Sequence, residues 1–157
     1  MNGLAYSVVM HLLEDLQEEG RVLYVDNYYT SPILFKYLYE HGTYASGTVR
    51  VNRKQFPVKE LDEDKMEKGE KLFLHHGVLT AGKWKDKRDV YFLSTLHCDE
   101  METINRRTKG GNTESVIKPK IVTDYNQHMS GVDIADGVLS MWSSYTEMVQ
   151  ASILENG

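Results

Sequence analysis

Cysteine is almost absent from this 157-residue chain, and long apolar runs are missing altogether. The single cysteine, Cys98, excludes an internal disulfide framework and any zinc site built from cysteines, and it is compatible with a reducing compartment. No apolar run approaches the roughly 18–20 residues of a membrane span, and the chain does not open with the pattern of a signal peptide. We therefore expect one intracellular globular domain with no membrane partner, in which the Cys98 thiol is half-buried.

Basic residues are scarce near both ends of the chain and concentrated in its middle. Of the 18 lysines and arginines, 16 lie between Arg50 and Lys120, where they exceed the acidic residues by four, although the whole chain has a net charge of −5. The overall charge argues against nucleic-acid binding by bulk charge alone. The asymmetry is typical of a surface that binds a polyanion, but an ordinary solvated face would explain it equally well.

The first 51 residues predict a helix, a strand, a second helix and a second strand. The first helix is amphipathic and ends at Gly20, and the later elements cover residues 21–26, 31–41 and 44–51. Ser31 is a predicted N-cap, with Pro32 at the first helical position and Ile33 among the side chains predicted to face the core. Short links between alternating helices and strands favour a right-handed crossover and a mainly parallel core.

The rest of the chain predicts three short antiparallel strands and a broken helix. The strands cover residues 71–76, 78–85 and 89–95, and residues 108–113 are expected to form a mobile loop. A helix is expected to begin near Pro119, to break at Ser130-Gly131 and to resume over residues 132–141. We find no internal repeat and no second domain.

Asp26 is the first candidate functional residue. It directly follows a run of buried-type residues and precedes a predicted helix start, so it lies at the carboxyl end of a core strand. Open α/β sheets place their ligands in the crevice at that end. A carboxylate there is poorly placed for stability and well placed to bind a metal ion.

Asp133 and Asp136 form a second candidate pair. They are three residues apart, so on a helix both carboxylates share one face, and Gly131-Val132 places Asp133 near the predicted start of a helix. Negative charge near a helix N-terminus is stabilised by about 0.3–1 kcal/mol. Spacing alone therefore favours a simple N-cap with a solvated neighbour over a functional site.

Aromatic and basic residues near Asp26 and after the second predicted strand complete the set of candidates. Tyr28 either packs in the core or stacks on a nucleic-acid base. Arg50, Arg53 and Lys54 either reach phosphates or lie on a solvated surface; phosphate contacts would make binding depend on salt rather than on base sequence.

Four segments together resemble the piggyBac transposase family, in the family's order and roughly its spacing. They are Val25-Asp-Asn-Tyr-Tyr-Thr-Ser, Gly47-Thr-Val-Arg-Val-Asn-Arg-Lys, Trp84-Lys-Asp-Lys-Arg-Asp-Val, and Lys118-Pro-Lys-Ile-Val-Thr-Asp-Tyr-Asn followed by Gly131-Val-Asp-Ile-Ala-Asp. The resemblance covers about residues 1–140 and leaves residues 141–157 as a divergent tail.

The resemblance implies an α/β fold: a partial RNase H-like (DDE/DDD transposase) catalytic core with an inserted antiparallel β segment. It matches Asp26 to the family's second catalytic aspartate, Asp133 to the third and Asp136 to an auxiliary acidic residue. Asp26 and Asp133 would then bind Mg²⁺, which prefers carboxylate oxygens. The implied activity is DNA cleavage and strand transfer into TTAA sites, in the nucleus. The resemblance is also compatible with a homodimer.

The chain also departs from the family. The family's first catalytic aspartate lies on a strand upstream of the helix that begins this sequence, and no residue here replaces it. We therefore expect a fragment of a catalytic domain that is inactive alone, with an unpaired sheet edge beside the strand that precedes Asp26. Two other functions remain open: a non-enzymatic, domesticated remnant that binds DNA or a transposase partner, and a metal-dependent hydrolase unrelated to DNA.

Overall fold

Helices and strands alternate in a mixed α/β fold. The structure, a computed structural model, describes residues 4–13, 20–139 and 151–154, and for Ala5, Leu12 and residues 131–139 and 151–154 it describes the backbone alone. The four helices in these ranges are α1 (Leu4–Leu12), α2 (Pro32–Glu40), α3 (Val58–Leu61) and α4 (Lys120–Leu139). The strands are β1 (Val22–Val25), β2 (Tyr44–Thr48), β3 (Lys71–His76), β4 (Leu79–Lys85), β5 (Asp89–Ser94), β6 (Met101–Arg107), β7 (Thr113–Pro119) and β8 (Ala151–Leu154).

Six strands form one sheet in the order β3-β4-β5-β2-β1-β8. The pair β1 and β2 is parallel, with Val25 opposite Gly47, as the sequence predicted. The other four pairings of this sheet are antiparallel, so the prediction of a mainly parallel core is wrong. The remaining strands follow one another through short turns or pair from distant parts of the chain, and neither arrangement requires a helical crossover. The strands β3, β4 and β5 are antiparallel to one another, also as predicted, and β5 pairs with β2. These three strands therefore extend the same sheet, and the structure does not set them apart as an inserted segment.

The two faces of the sheet bury different helices. Leu23 and Val25 of β1 point into the larger core, with buried side chains of α2 and α3 and with Val9 of α1. Val22 and Tyr24 point to the opposite face and pack with Met129 of α4. Side chains alternate along a strand, so this four-residue strand is buried on both faces, as its uninterrupted apolar sequence predicts.

The start of α2 follows its sequence closely. The Ser31 hydroxyl accepts a hydrogen bond from the Leu34 N–H at 3.2 Å, and Pro32 occupies the first turn. Leu34, Phe35 and Leu38 are fully buried, whereas Ile33 is 40% exposed. The prediction that Ile33 faces the core is therefore wrong. Successive helix positions are about 100° apart, so the buried face centred on the other three leaves Ile33 on nearly the opposite side of the helix.

The edge beside β1 is occupied, which corrects a second prediction. The strand β8 pairs antiparallel with β1, with Val22 opposite Leu154 and Val25 opposite Ala151. A core strand with unpaired N–H and C=O groups is costly, and any short segment of suitable reach can satisfy those groups. The pairing segment lies in the tail over residues 141–157, whose assignment as a divergent region stays a prediction.

The strands β6 and β7 form a separate two-stranded ribbon that the sequence did not reveal. The segment predicted as a mobile loop, residues 108–113, is mainly the turn of this ribbon, in which the Thr108 N–H donates to the Asn112 carbonyl at 2.8 Å. Both strands are mostly exposed, so their sequences lack the apolar alternation by which strands are recognised.

Helix α4 runs without a break from Lys120 to Leu139, so the predicted interruption at Ser130-Gly131 is wrong. Glycine in a helix costs about 1 kcal/mol relative to alanine. Packing outweighs that cost here, since Ile121, Val122 and Met129 are buried against the sheet. Within the described ranges, no helix is both long enough and apolar enough to cross a membrane.

Candidate functional site

Asp26 directly follows β1, at the carboxyl end of the parallel pair, as the sequence predicted. Its Oδ1 accepts a hydrogen bond from the Tyr28 N–H at 2.8 Å, and its backbone carbonyl accepts from the N–H groups of Tyr29 and Thr30. The Thr30 hydroxyl donates to the same carbonyl at 2.9 Å. The hydrogen bonds within residues 26–30 therefore orient the carboxylate, which is half-buried at the carboxyl end of β1.

Gly47 lets β2 approach this turn. A Cβ atom at position 47 would collide with the Val25 carbonyl oxygen and would lie 2.6 Å from Thr30 Oγ1. Glycine is therefore required at this point, where the ends of the two parallel strands and the turn after β1 meet. On the neighbouring position of β2, Thr48 contacts the Tyr125 hydroxyl of α4 at 3.4 Å, so α4 begins to cover the same end of the sheet.

Three of the predicted nucleic-acid-binding residues cluster around the turn after β1. The Arg50 Nε donates to Asn27 Oδ1 at 3.0 Å, and its guanidinium lies 5.3 Å from the Tyr28 ring centroid. Arg53 Nη2 donates to the carbonyl oxygens of Asn27 and Tyr28 at 2.9 and 2.6 Å. The two arginines thus join the loop after β2 to the turn that carries Asp26.

The electrostatics of the cluster follow from burial and from the proximity of like charges. Burial and the nearby Arg50 lower the pKa of Arg53, while Tyr28 and Asp26 act in the opposite direction. Burial raises the pKa of the Tyr29 hydroxyl, and Asp26 and then Tyr28 add to the effect. Arg53 is half-buried and hydrogen-bonded to the turn, whereas Arg50, Tyr28 and Lys54 are exposed. Contact of any of the four with nucleic acid stays a prediction.

Asp133 and Asp136 lie in the second half of α4, so Asp133 does not begin a helix as predicted. Their side chains lie outside the described residues. The described part of α4 crosses the sheet towards β1: the His128 ring stacks on Tyr24 at 4.2 Å between centroids, and Met129 packs on Val22 and Tyr24. Asp133 follows Met129 by about one helical turn, or about 6 Å along the axis. The helix that carries Asp133 therefore reaches the strand that carries Asp26.

The chemistry of Asp26 suits a hard divalent cation, because carboxylate oxygens are the ligands that Mg²⁺ prefers. Among the side chains that the structure describes, no group of three or more histidine, cysteine, aspartate or glutamate residues is arranged to hold a metal ion. Asp26 therefore fits the role of a single ligand, and a site for Mg²⁺ at this place needs carboxylates from outside the described side chains.

A buried histidine beside α4 was missed by the sequence interpretation. The His97 Nε2 lies 2.7 Å from Asp124 Oδ2, and the His97 side chain is 8% exposed. Burial lowers the pKa of His97 and outweighs Asp124 and Glu100, which raise it. Burial, together with Asp124, also raises the pKa of Tyr24 to about 12. No sequence signal links two residues so far apart, yet their contact ties the loop after β5 to α4.

The neighbouring cysteine and histidines do not form a site in the described part of the chain. Cys98 is exposed, so the prediction of a half-buried thiol is wrong: the chain leaves the sheet at this point, and the side chain of the preceding residue, His97, is the one that is buried. His75 and His76 occupy successive positions of β3, where side chains point to opposite faces, and His75 Nδ1 lies 3.2 Å from Thr80 Oγ1.

Two comparisons with known proteins match this chain to transposases. Residues 2–153 match the family model described as "Transposase IS4". Among solved structures, the chain is similar to one described as the cryo-EM structure of a piggyBac transposase synaptic complex with hairpin DNA. The sequence identity is 31%, the TM-score is 0.68, and the match covers 89% of this chain. It spans 28% of the length of that transposase.

Proposed function

This chain is a piggyBac-like member of the Transposase IS4 family, and we propose that it is part of a catalytic domain that binds, cleaves and joins DNA. The proposed architecture is an RNase H-like core, formed by about residues 1–140. The observation that carries the proposal is the placement of Asp26 at the carboxyl end of a buried parallel strand, on which the helix that bears Asp133 and Asp136 packs.

The proposed metal site uses carboxylates from both elements. Asp26 and Asp133 would hold Mg²⁺, with Asp136 assisting, and the bound metal would supply activation of the attacking oxygen and stabilisation of the leaving oxygen in phosphodiester displacement. The protein's own contribution is to orient Asp26. The hydrogen bonds within residues 26–30 support that role, as do those that Arg50 and Arg53 donate to the same turn.

The proposed DNA contact near the site uses Arg50, Lys54 and Tyr28, with Arg53 linking the contact surface to the Asp26 turn. Arg50 already lies over Tyr28, and both side chains remain exposed, so a base could stack on the ring while the guanidinium pairs with a phosphate. The similar piggyBac transposase structure contains hairpin DNA, which supports DNA as the partner. TTAA targets, a homodimer and nuclear localisation are further parts of the proposal.

We further propose that the 157-residue chain does not cleave DNA by itself. Its sequence offers Asp26 and Asp133 for two of the family's three aspartates, and no residue corresponds to the first. Two carboxylates can bind a cation weakly, but they do not fix the positions of two metal ions about 3.5–4 Å apart.

A binding and cleavage assay on the purified chain tests the proposal. Duplex DNA with a TTAA site should bind with an affinity that falls as salt rises, and Mg²⁺ or Mn²⁺ should produce no nick. Nicking that Asp26→Asn abolishes would contradict the proposed lack of activity and would demonstrate a complete active site. Absence of DNA binding at low salt would contradict the proposed function itself.

The same assay separates the catalytic origin from a purely non-enzymatic role. In the non-enzymatic alternative, DNA binding survives both Asp26→Asn and Asp133→Asn, and Mn²⁺ has no effect on affinity. If the aspartates form a metal site, Mn²⁺ should strengthen DNA binding by the wild-type chain, and either substitution should remove that gain. The observation that favours this alternative is that the described side chains include no group of three carboxylates or other ligands that could hold a metal ion.

A further inference from the structure

The β6–β7 ribbon has two chemically different faces. Its register places Thr103 opposite Ile117, Asn105 opposite Ser115 and Arg107 opposite Thr113. Residues paired in this way share a face of the ribbon, and all six of these side chains are exposed. Ile117, which is 58% exposed, is the single large apolar side chain among them. We call this surface the outward face of the ribbon.

The opposite face of the ribbon lies against the body of the protein. The Lys118 ammonium is 5.4 Å from the Trp84 ring centroid, and Glu102 accepts a hydrogen bond from the Thr123 hydroxyl of α4 at 2.6 Å. Arg106 and Glu114 pair across the strands at 3.2 Å. The contacts of Lys118 and Glu102 join the ribbon to β4 and α4, whereas the Arg106–Glu114 pair joins its two strands, so the outward face is presented to solvent in a defined orientation.

Charge is segregated between the two faces. Both carboxylates of the ribbon strands, Glu102 and Glu114, lie on the opposite face, where both are exposed; Glu102 is bonded to Thr123 of α4 and Glu114 to Arg106 of the ribbon itself. The outward face carries no acidic residue; its one charged side chain is Arg107, and the adjoining turn adds the exposed Lys109. The turn itself is defined, since Gly111 adopts a positive φ and its N–H donates to the Thr108 carbonyl at 3.0 Å.

A two-stranded ribbon is a form of structure that the major groove of duplex DNA admits. Seven residues per strand span about 24 Å. The major groove is about 12 Å wide and admits a two-stranded β-ribbon. Asn105, Ser115 and the threonines offer hydrogen-bonding groups to base edges, while Ile117 offers an apolar contact of the kind that suits a thymine methyl group.

We propose that the outward face of the β6–β7 ribbon is a second DNA-binding surface, separate from the Asp26 site, that enters the major groove of duplex DNA. The inference rests on the proposed function only in taking DNA as the polymer. A single exposed isoleucine among polar and basic groups is too little apolar surface for a stable protein interface, since such interfaces have an apolar core. Positive charge without carboxylates is complementary to phosphate.

The test removes the same number of positive charges from each of two hairpins. Arg107→Gln with Lys109→Gln removes two positive charges from the ribbon, and Lys87→Gln with Arg88→Gln removes two from the exposed turn between β4 and β5. Anisotropy titrations of a labelled 20-base-pair duplex with the 157-residue chain should show a dissociation constant raised about tenfold for the ribbon pair. The slope of log affinity against log salt should fall by about 1.8. The control pair should leave both quantities unchanged.

A second duplex tests the groove. An A-form RNA duplex of the same sequence has a deep, narrow major groove that side chains cannot read, so the wild-type chain should bind it more weakly than DNA. The inference would be overturned if the Arg107→Gln, Lys109→Gln variant bound DNA as tightly as the wild type, or if both double variants lost the same affinity. It would also be overturned if the wild-type chain bound the RNA duplex as tightly as the DNA duplex. These results leave the proposed function standing; failure of the wild-type chain to bind any DNA would contradict that function instead.

Discussion

At the scale of single residues, Gly47 controls how closely the two parallel strands and the Asp26 turn approach one another. A methyl group at this position would meet the Val25 carbonyl and the Thr30 hydroxyl. The carbonyl belongs to the backbone and accepts a hydrogen bond from that hydroxyl, and the Thr30 side chain is buried. Neither can withdraw cheaply. We predict that Gly47→Ala lowers the free energy of unfolding by about 1–3 kcal/mol, the usual cost of overpacking.

Urea denaturation followed by circular dichroism measures this effect, and Gly110→Ala provides the matched control. A Cβ at position 110 would have open space around it, so that variant should change the midpoint negligibly. If Gly47→Ala unfolds at the same urea concentration as the wild type, the close packing of the two strands at the site is refuted.

His97 makes stability depend on pH in a window where carboxylates do not titrate. Its pKa is lowered by burial in the folded state, so the unfolded chain binds a proton more readily as the pH falls through about 6.5. The unfolded state is therefore favoured on acidification. We expect the free energy of unfolding to decrease as the pH falls below about 6.5 and to level off below the folded pKa of His97.

Denaturation curves at several pH values check this prediction, with His97→Gln and His76→Gln compared. The first substitution should flatten the profile above about pH 5. The second, at an exposed position of β3, should leave it unchanged. Acidic groups with lowered pKa values, such as Glu100, lose their contribution only at lower pH. A wild-type profile that is already flat from pH 7 to pH 5 would refute the assigned environment of His97.

At the scale of elements, the continuity of α4 distinguishes the structure from the helix pattern that the sequence predicted. Ser130 is exposed, and its hydroxyl donates to the Gln127 carbonyl within the helix. Alanine is a better helix former than serine, so Ser130→Ala should raise the free energy of unfolding by about 0.5 kcal/mol. If a new helix began at this point, loss of a serine N-cap would instead lower it by about 1 kcal/mol.

The sign of the change measured by urea denaturation therefore decides between the two arrangements. Ser31→Ala serves as the reference, because Ser31 does cap a helix and its hydroxyl accepts from the Leu34 N–H. That variant should be destabilised by about 1 kcal/mol. Destabilisation of both variants would mean that α4 is broken near residue 130.

The elements that the sequence predicted well are those whose local signals agree with their packing. The strand β1 is uniformly apolar and is buried on both faces, and α2 has a serine cap followed by proline. The ribbon β6–β7 buries little, so it leaves no apolar alternation to read. Helix α4 contains Ser130-Gly131, a local stop signal that packing against the sheet overrides.

The candidate site divides in the same way. Asp26 was placed correctly because a buried strand and a helix cap bracket it in the sequence. The contacts of Arg50 and Arg53 with the turn join residues more than 20 positions apart, and no periodicity encodes them. The contact between His97 and Asp124 is equally invisible, because it depends on where α4 crosses the sheet.

At the scale of the whole molecule, β8 pairs with β1 and covers the edge of this core strand beside the candidate site. Deleting residues 151–157 would expose the backbone groups of β1 at a sheet edge. We predict a lower melting temperature and self-association that increases with concentration, because exposed edges of core strands pair with other chains.

Size-exclusion chromatography with light scattering measures the association, and deletion of residues 155–157 alone is the control because it leaves β8 intact. That shorter deletion should behave as the wild-type chain does. Equal melting temperatures and a monomeric state for both deletions would show that β8 contributes nothing to the sheet.

The proposal as a whole depends on Asp26 and Asp133 lying close enough to share a divalent cation. Titration of the isotope-labelled chain with Mn²⁺, followed by paramagnetic broadening of backbone amide signals, tests this most directly. We predict that the signals of residues 26–30 and 132–136 broaden together, and that Asp26→Asn removes the broadening from both sets. Broadening of neither set, or broadening of residues 132–136 that persists in Asp26→Asn, would contradict the shared site.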